Sequence, residues 1–177
     1  GEVRFAICPN RFHHLHAGAY REVYPAIEIH VAPGLERKRD DLAADAVLHD
    51  APDPRWAEDL DQLSVRGMPM LNEVVFLHRA SRTLLLTDLA FHLADPMPKG
   101  TQRTLRWLGA RRFGPTWLER LVMTRDRTAA RRSFEQLLCW EFDRVIVAHG
   151  GVLETGGRAA LVEGYHWLLG SAAEAVG

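Results

Sequence analysis

Lysine is nearly missing from this chain: Lys38 and Lys99 are the only two among 22 basic residues, and arginine supplies the rest. Together with abundant alanine, that points to a biased coding composition rather than to a function. Cysteine is as scarce, with Cys8 and Cys139 alone, which excludes a disulfide framework and makes a reducing cytoplasm the expected compartment. No apolar run approaches the ~20 residues that span a bilayer, and no signal peptide is visible. Net charge is also small: 22 basic residues meet 23 acidic ones, giving −1, so overall charge selects no polyelectrolyte partner. Repeats, low-complexity tracts and linkers are absent too. With 47% hydrophobic and 25% charged residues, the 177 residues read as one folded domain over 1–177. The chain begins at Gly1 without Met and enters a strand almost at once, which reads as a fragment or a processed chain.

What is present is an alternation of short apolar runs and helical patterns. Val3–Cys8 reads as a buried strand closed by Pro9, Ile27–Ala32 as a second, and Ala46–Leu48 as a short third. Leu63–Arg66, Glu73–His78 and Arg82–Thr87 read as further strands, with a hairpin turn at Ala80–Arg82. Ala17–Tyr24, Thr101–Ala110, Thr116–Met123 and Thr128–Trp140 predict helices, the last with Cys139 on its apolar side. A buried strand at Arg144–Ala148 and a helix at Arg158–Leu169 close the chain. Strands interleaved with helices predict a layered α/β fold.

The chemistry gathers where apolar strands end. The stretch Cys8-Pro-Asn-Arg-Phe-His-His-Leu-His-Ala-Gly18 places His13, His14 and His16 just after the first strand. In open α/β sheets that is where ligands bind. On a regular strand His13 and His14 would point to opposite faces, but on a loop both can turn to one ion; His16 is expected to line the site without ligating. Asp88 follows Leu84-Leu85-Leu86-Thr87, and a buried carboxylate needs a partner or a metal; the competing expectation is a helix cap for Leu89 onward. His149 closes Val145-Ile146-Val147-Ala148 and is followed by two glycines that permit a tight turn. Three strand ends thus carry ionisable residues.

These pieces, together with Ala32-Pro-Gly-Leu-Glu-Arg-Lys-Arg39, Asn72-Glu-Val-Val-Phe-Leu-His78 and Thr87-Asp-Leu-Ala-Phe91, resemble a bacterial family of unknown function allied to the metallo-β-lactamase superfamily. The resemblance covers nearly the whole chain and implies a four-layer α-β-β-α sandwich with a metal site at one edge of two sheets. It implies that the superfamily's opening strands fall before Gly1, so the domain is N-terminally truncated. The superfamily loop reads His-x-His-x-Asp-His, followed by a distant His, a bridging Asp and a final His. Laid on this chain, His13 replaces the loop carboxylate, His14 is the loop's last His, Asp88 the bridging Asp and His149 the final His. The other histidines would fall near Pro9, Arg11 and Met68, which leaves one metal site whole and the other dismantled.

The expected ligands are therefore His13, His14, Asp88 and His149 around one divalent transition metal, zinc first, with iron or manganese as alternatives. A metal-bound water would be the nucleophile of a hydrolase, with Asp88 orienting it. Glu73 and His78 are candidate groups for orienting ligands or moving protons. The competing readings are a non-catalytic binding module that keeps the ion or has lost it, and a phosphodiesterase or nuclease using the arginines. Nine arginines lie between Arg103 and Arg132 against Glu119 and Asp126. Their helices are expected to bury Leu105, Trp107, Leu108, Phe113, Trp117, Leu118 and Leu121 and to solvate the charges. The expected partner is a small molecule, with self-association open, and neither nucleic acid nor membrane.

Overall fold

The computed structural model describes residues 1–94, 97–110 and 113–170. Strands β1 (Phe5–Cys8), β2 (Glu28–Val31) and β3 (Ala46–Val47) form a parallel sheet in that order. Helices α1 (Tyr20–Val23) and α2 (Leu35–Lys38) are the crossovers between them. Strands β4 (Leu60–Ser64), β5 (Val74–His78) and β6 (Thr83–Leu85) make an antiparallel meander, and β9 (Arg144–Ile146) adds to β6 in parallel. Between β6 and β9 run β7 (Phe91–His92), α3 (Lys99–Trp107), β8 (Phe113–Gly114), a π-turn at Glu119–Met123 and α4 (Arg127–Leu137). Helices α5 (Gly157–Gly164) and α6 (His166–Leu169) follow β9. Among the described residues no helix is long and apolar enough to cross a membrane.

Side-chain alternation sorts the layers. On β5, Val74 and Phe76 face the first sheet, meeting Phe5, Ile7 and Trp56 in a core between the sheets. Val75 and Leu77 point the other way, into the main core with Phe134, Leu137 and Leu161 of α4 and α5. The outer face of the first sheet buries Ile29 and Val31 against Leu35 and Leu42. Two sheets back to back with helices outside are the expected α-β-β-α sandwich.

Most strands fall where the apolar runs predicted them. Three departures have local causes. β7 and β8 are a two-residue ladder, too short for any periodicity, and Gly114 (φ +126°) lets the β8 backbone approach Gly164 of α5 to within contact. The expected closing helix is broken at Tyr165, whose fully buried hydroxyl donates to the Leu89 carbonyl at 2.6 Å. Cys139 is exposed rather than core, because it lies about 200° around the helix axis from buried Leu137, opposite the face that α4 buries.

The helix expected from Thr116 is present and opens with Thr116 and Glu119 capping one another: the Thr116 N–H donates to the Glu119 carboxylate at 2.8 Å and the Leu118 N–H to the Thr116 hydroxyl at 3.1 Å. Trp107 and Leu121, expected inside, are 77% and 73% exposed. On α3, Trp107 lies two residues from buried Leu105, about 200° around the helix, so the two cannot share a face.

Gly67 locks the meander to α4. Its carbonyl accepts from the Arg125 and Asp126 N–H groups at 2.9 and 3.1 Å, and its φ is +81°. A Cβ there would lie 2.2 Å from the Asp126 carbonyl oxygen and 2.6 Å from the Ala130 nitrogen. Gly67→Ala is expected to lower unfolding free energy by more than ~1 kcal/mol, read from urea titration; an unchanged midpoint would contradict this account of the junction.

Candidate metal centre

The centre is built where β1, β6 and β9 stop. Pro9 ends β1, and its carbonyl accepts the Val74 N–H at 2.8 Å, tying the first sheet to the start of β5 in the second. Asn10 follows, fully buried. Its Oδ1 accepts the N–H groups of Phe12 and His13 at 2.9 and 2.8 Å, closing an Asx turn that lifts His13 over the sheet edge. Its Nδ2 faces Asp88 Oδ2 and Thr87 Oγ1, both at 2.8 Å, and Glu73 Oε2 at 3.1 Å.

Glu73 lies beneath, with no exposed surface. Its two oxygens accept the backbone N–H groups of Thr87 and Asp88 at 2.7 and 2.8 Å. A carboxylate on successive amides fixes the turn that ends β6, and no helix opens at Leu89. Burial pushes the Glu73 pKa up, against the opposing effect of these donors. Burial would likewise raise the Asp88 pKa, but His13, His149 and Asn10 outweigh it and hold that carboxyl well below its usual range.

His149 arrives from β9. The His92 N–H donates to the His149 carbonyl at 3.1 Å, and the ring stacks on Phe91 with centroids 5.6 Å apart. Gly150 must be glycine here: φ is +130°, and a Cβ would fall 1.9 Å from the His92 carbonyl oxygen.

Three ligand-type atoms therefore converge. Asp88 Oδ1 lies 3.1 Å from His13 Nε2 and 3.1 Å from His149 Nε2, and the two nitrogens are 3.2 Å apart. With metal–ligand bonds of about 2.0–2.1 Å at tetrahedral angles, ligand atoms sit about 3.3 Å apart, so this triangle fits one face of such a site. The nitrogen–nitrogen approach is also hard to satisfy with protons alone when both rings already face one carboxylate oxygen. Asp88 is buried, whereas the His13 and His149 side chains are 30% and 43% exposed, so the triangle opens to solvent on its imidazole side.

Of the residues singled out from the sequence, His13, Asp88 and His149 come together. His14 does not join them: it is buried, and its Nδ1 accepts from Arg39 Nη1 at 2.8 Å. Burial, then Lys38 and Arg39, lower its pKa, keeping the ring neutral. Exposed His16 lines an open cavity of about 640 Å³ that His13, His14 and Thr87 also border. Glu73 is the buried brace described above. His78 sits at the far end of β5, paired in register with Leu60 and Thr83, with Nδ1 2.7 Å from Ser81 Oγ. Met68 packs in the main core, and Arg11 Nη1 donates to the Pro69 carbonyl at 3.0 Å. Asn10 and Thr87 were missed, although an Asn directly after a strand-ending Pro and three residues before His13 is an Asx-turn signal.

No family model matches the chain, and no curated protein matches it either. Solved structures do. The metal-soaked Flv1 flavodiiron core from Synechocystis aligns over 97% of this chain at TM-score 0.64 and 13% identity. Rubredoxin oxygen:oxidoreductase from Desulfovibrio gigas aligns over 98% at 0.59 and 10%. The mono-zinc form of the metallo-β-lactamase FIM-1 from Pseudomonas aeruginosa aligns over 98% at 0.54 and 12%. The chain spans 44% of each of the first two proteins and 68% of the third. At such identities the likeness is one of fold, and the fold is that of the metallo-β-lactamase superfamily.

The ionisation of the trio sets a pH window for the metal-free protein. The Asp88 hydrogen bond raises the His13 pKa above its ordinary 6.5, and burial opposes it. That contribution to stability is complete below pH 6.5 and is lost as pH rises through the raised value. The depressed Asp88 contributes above its unfolded value of 3.8 and loses its contribution as pH falls. In the presence of a chelator, the stability advantage of wild type over His13→Gln should thus be greatest between those limits and shrink above the upper one. Urea titrations at several pH values check this; an advantage that grows with pH would refute it.

Proposed function

We propose that this chain, which has the metallo-β-lactamase-superfamily fold, is a metal-dependent hydrolase with a single divalent ion held by His13, Asp88 and His149. The observation that carries the reading is the triangle of Nε2, Nε2 and Oδ1 atoms at 3.1, 3.1 and 3.2 Å, open on one side. Three protein ligands with a free position are the pattern of catalytic rather than structural zinc. When bound, the ion supplies Lewis acidity, polarising a scissile carbonyl or phosphoryl group and acidifying water. Two imidazoles and a carboxylate suit zinc, with iron or manganese as alternatives. The mono-zinc form of FIM-1 supports single occupancy as a state this fold takes.

The protein's part is positioning. Asn10 holds Asp88 Oδ2, leaving Oδ1 to face the histidines. Glu73 fixes the Asp88 backbone, and Phe91 sets the plane of the His149 ring. On this reading His14 is not a ligand and braces the loop through Arg39. The exposed flank of His13 and His149 is where substrate reaches the centre.

Metal content by plasma mass spectrometry tests this. Wild type should carry about one equivalent, Asp88→Asn and His149→Ala should lose it, and His14→Ala should keep most of it. Asn10→Ala should weaken affinity ~10–100-fold by freeing the ligand it orients. Loaded protein should hydrolyse members of an ester, lactone and phosphodiester panel, and Asp88→Asn should not. Two equivalents would contradict the single centre. One equivalent with no turnover would leave a non-catalytic binding module, and no metal in folded protein would end the hydrolase reading.

A further inference from the structure

The exposed side of α3 carries three cations and a tryptophan, with Gly100 and Thr104 between them in sequence. Leu105 is the residue of α3 that is buried. At 100° per residue, Arg103 and Trp107 fall opposite Leu105 and Lys99 and Arg106 on one flank, and all four are exposed. Among the described residues from 97 to 125 the only acid is Glu119, and it is buried against Thr116. Nothing acidic along this segment neutralises those three cations.

The next helical stretch starts beside the end of α3. The Trp117 N–H donates to the Leu108 carbonyl at 2.8 Å, which brings Trp117 to the end of α3. Trp117 and Leu121, four residues apart, share a helical face and are 39% and 73% exposed, while Trp107 is 77% exposed. Exposed Trp107 and Leu121, with half-buried Trp117 at the end of the cation-bearing helix, are more apolar exposure than the rest of this segment shows and mark a contact surface.

We infer that this surface is a peripheral attachment site for an anionic phospholipid bilayer. Tryptophan and leucine partition into the headgroup–acyl boundary, and arginine and lysine are drawn to acidic headgroups. A single-stranded nucleic acid would use a groove and stacking faces; these side chains project, and Leu121 offers no face to stack on. No described helix is long and apolar enough to cross a bilayer. The site is independent of hydrolysis, although it lies close to the centre: Leu105 packs with Phe91, whose ring stacks on His149.

Co-sedimentation of the purified protein with phosphatidylcholine vesicles, with and without phosphatidylglycerol, tests the assignment. Binding is expected only with phosphatidylglycerol, falling with added salt, with a blue shift of tryptophan fluorescence on binding. Arg103→Gln with Arg106→Gln should weaken it roughly tenfold or more. Trp107→Ser with Leu121→Ser should weaken it comparably while circular dichroism stays that of wild type. No sedimentation with either vesicle, or equal sedimentation with both, would overturn the proposal. Retention of a single-stranded oligonucleotide without vesicle binding would overturn it in favour of nucleic acid. A dimer abolished by Trp107→Ser, again without vesicle binding, would overturn it in favour of a second copy.

Discussion

A fully buried carboxylate is unfavourable unless donors surround it, and Glu73 takes its donors from the turn that carries Asp88. The centre depends on that arrangement. Glu73 enters from the start of β5, Thr87 and Asp88 from the end of β6, and Asn10 from the end of β1 in the other sheet. Asn10 joins them because an amide can accept from the His13 backbone with its oxygen while donating to two carboxylates with its nitrogen. An aspartate in its place would set a third acid against the other two. The edge where the sheets meet and the place where His13 faces Asp88 are therefore one hydrogen-bonded unit, and shifting any one strand end would misplace the other two.

What could be read from the sequence follows from the same physics. Apolar runs mark strands because they must be buried, and an ionisable residue at the end of such a run needs a reason. That reasoning found His13, Asp88 and His149 although long stretches of chain separate them. It could not separate His13 from His14. Two adjacent loop residues have the same local signature, and which one faces the centre is decided by the Asn10 turn and by Arg39, whose approach depends on how α2 packs beside the loop. The strength of Glu73 as a brace was hidden for a similar reason, since its value lies in which amides it meets. The two-residue strands β7 and β8 left no pattern, and Cys139 was grouped with apolar neighbours although its helical position is opposite the face that α4 buries.

The positions where the sequence resemblance would have put further histidines serve the packing instead. Met68 is 1% exposed in the main core, and Arg11 holds the Pro69 carbonyl. A histidine in place of Met68 would bring a polar ring into close-packed apolar surroundings, where it would need new partners. Seating a second ion there would thus require rebuilding the loop around Pro69 and part of the core, not exchanging two side chains. A single proposed centre is consistent with this packing, and the proposal then rests on His13, Asp88 and His149 alone.

The stack from Leu105 through Phe91 to His149 connects the outward face of α3 with a ligand of the proposed ion. Packed rings of this kind pass on position; to act as a switch they would need two comparably stable arrangements. The constraints at His149 leave little room for a second one. Its carbonyl is tied to the His92 N–H, and Gly150 lies against the His92 backbone so closely that no side chain fits between. Attachment of α3 to a bilayer would on this reasoning orient the open, imidazole side of the centre relative to the membrane without changing the triangle itself. Its effect would fall on which molecules reach the centre, and the chemistry at Asp88 would be unaltered.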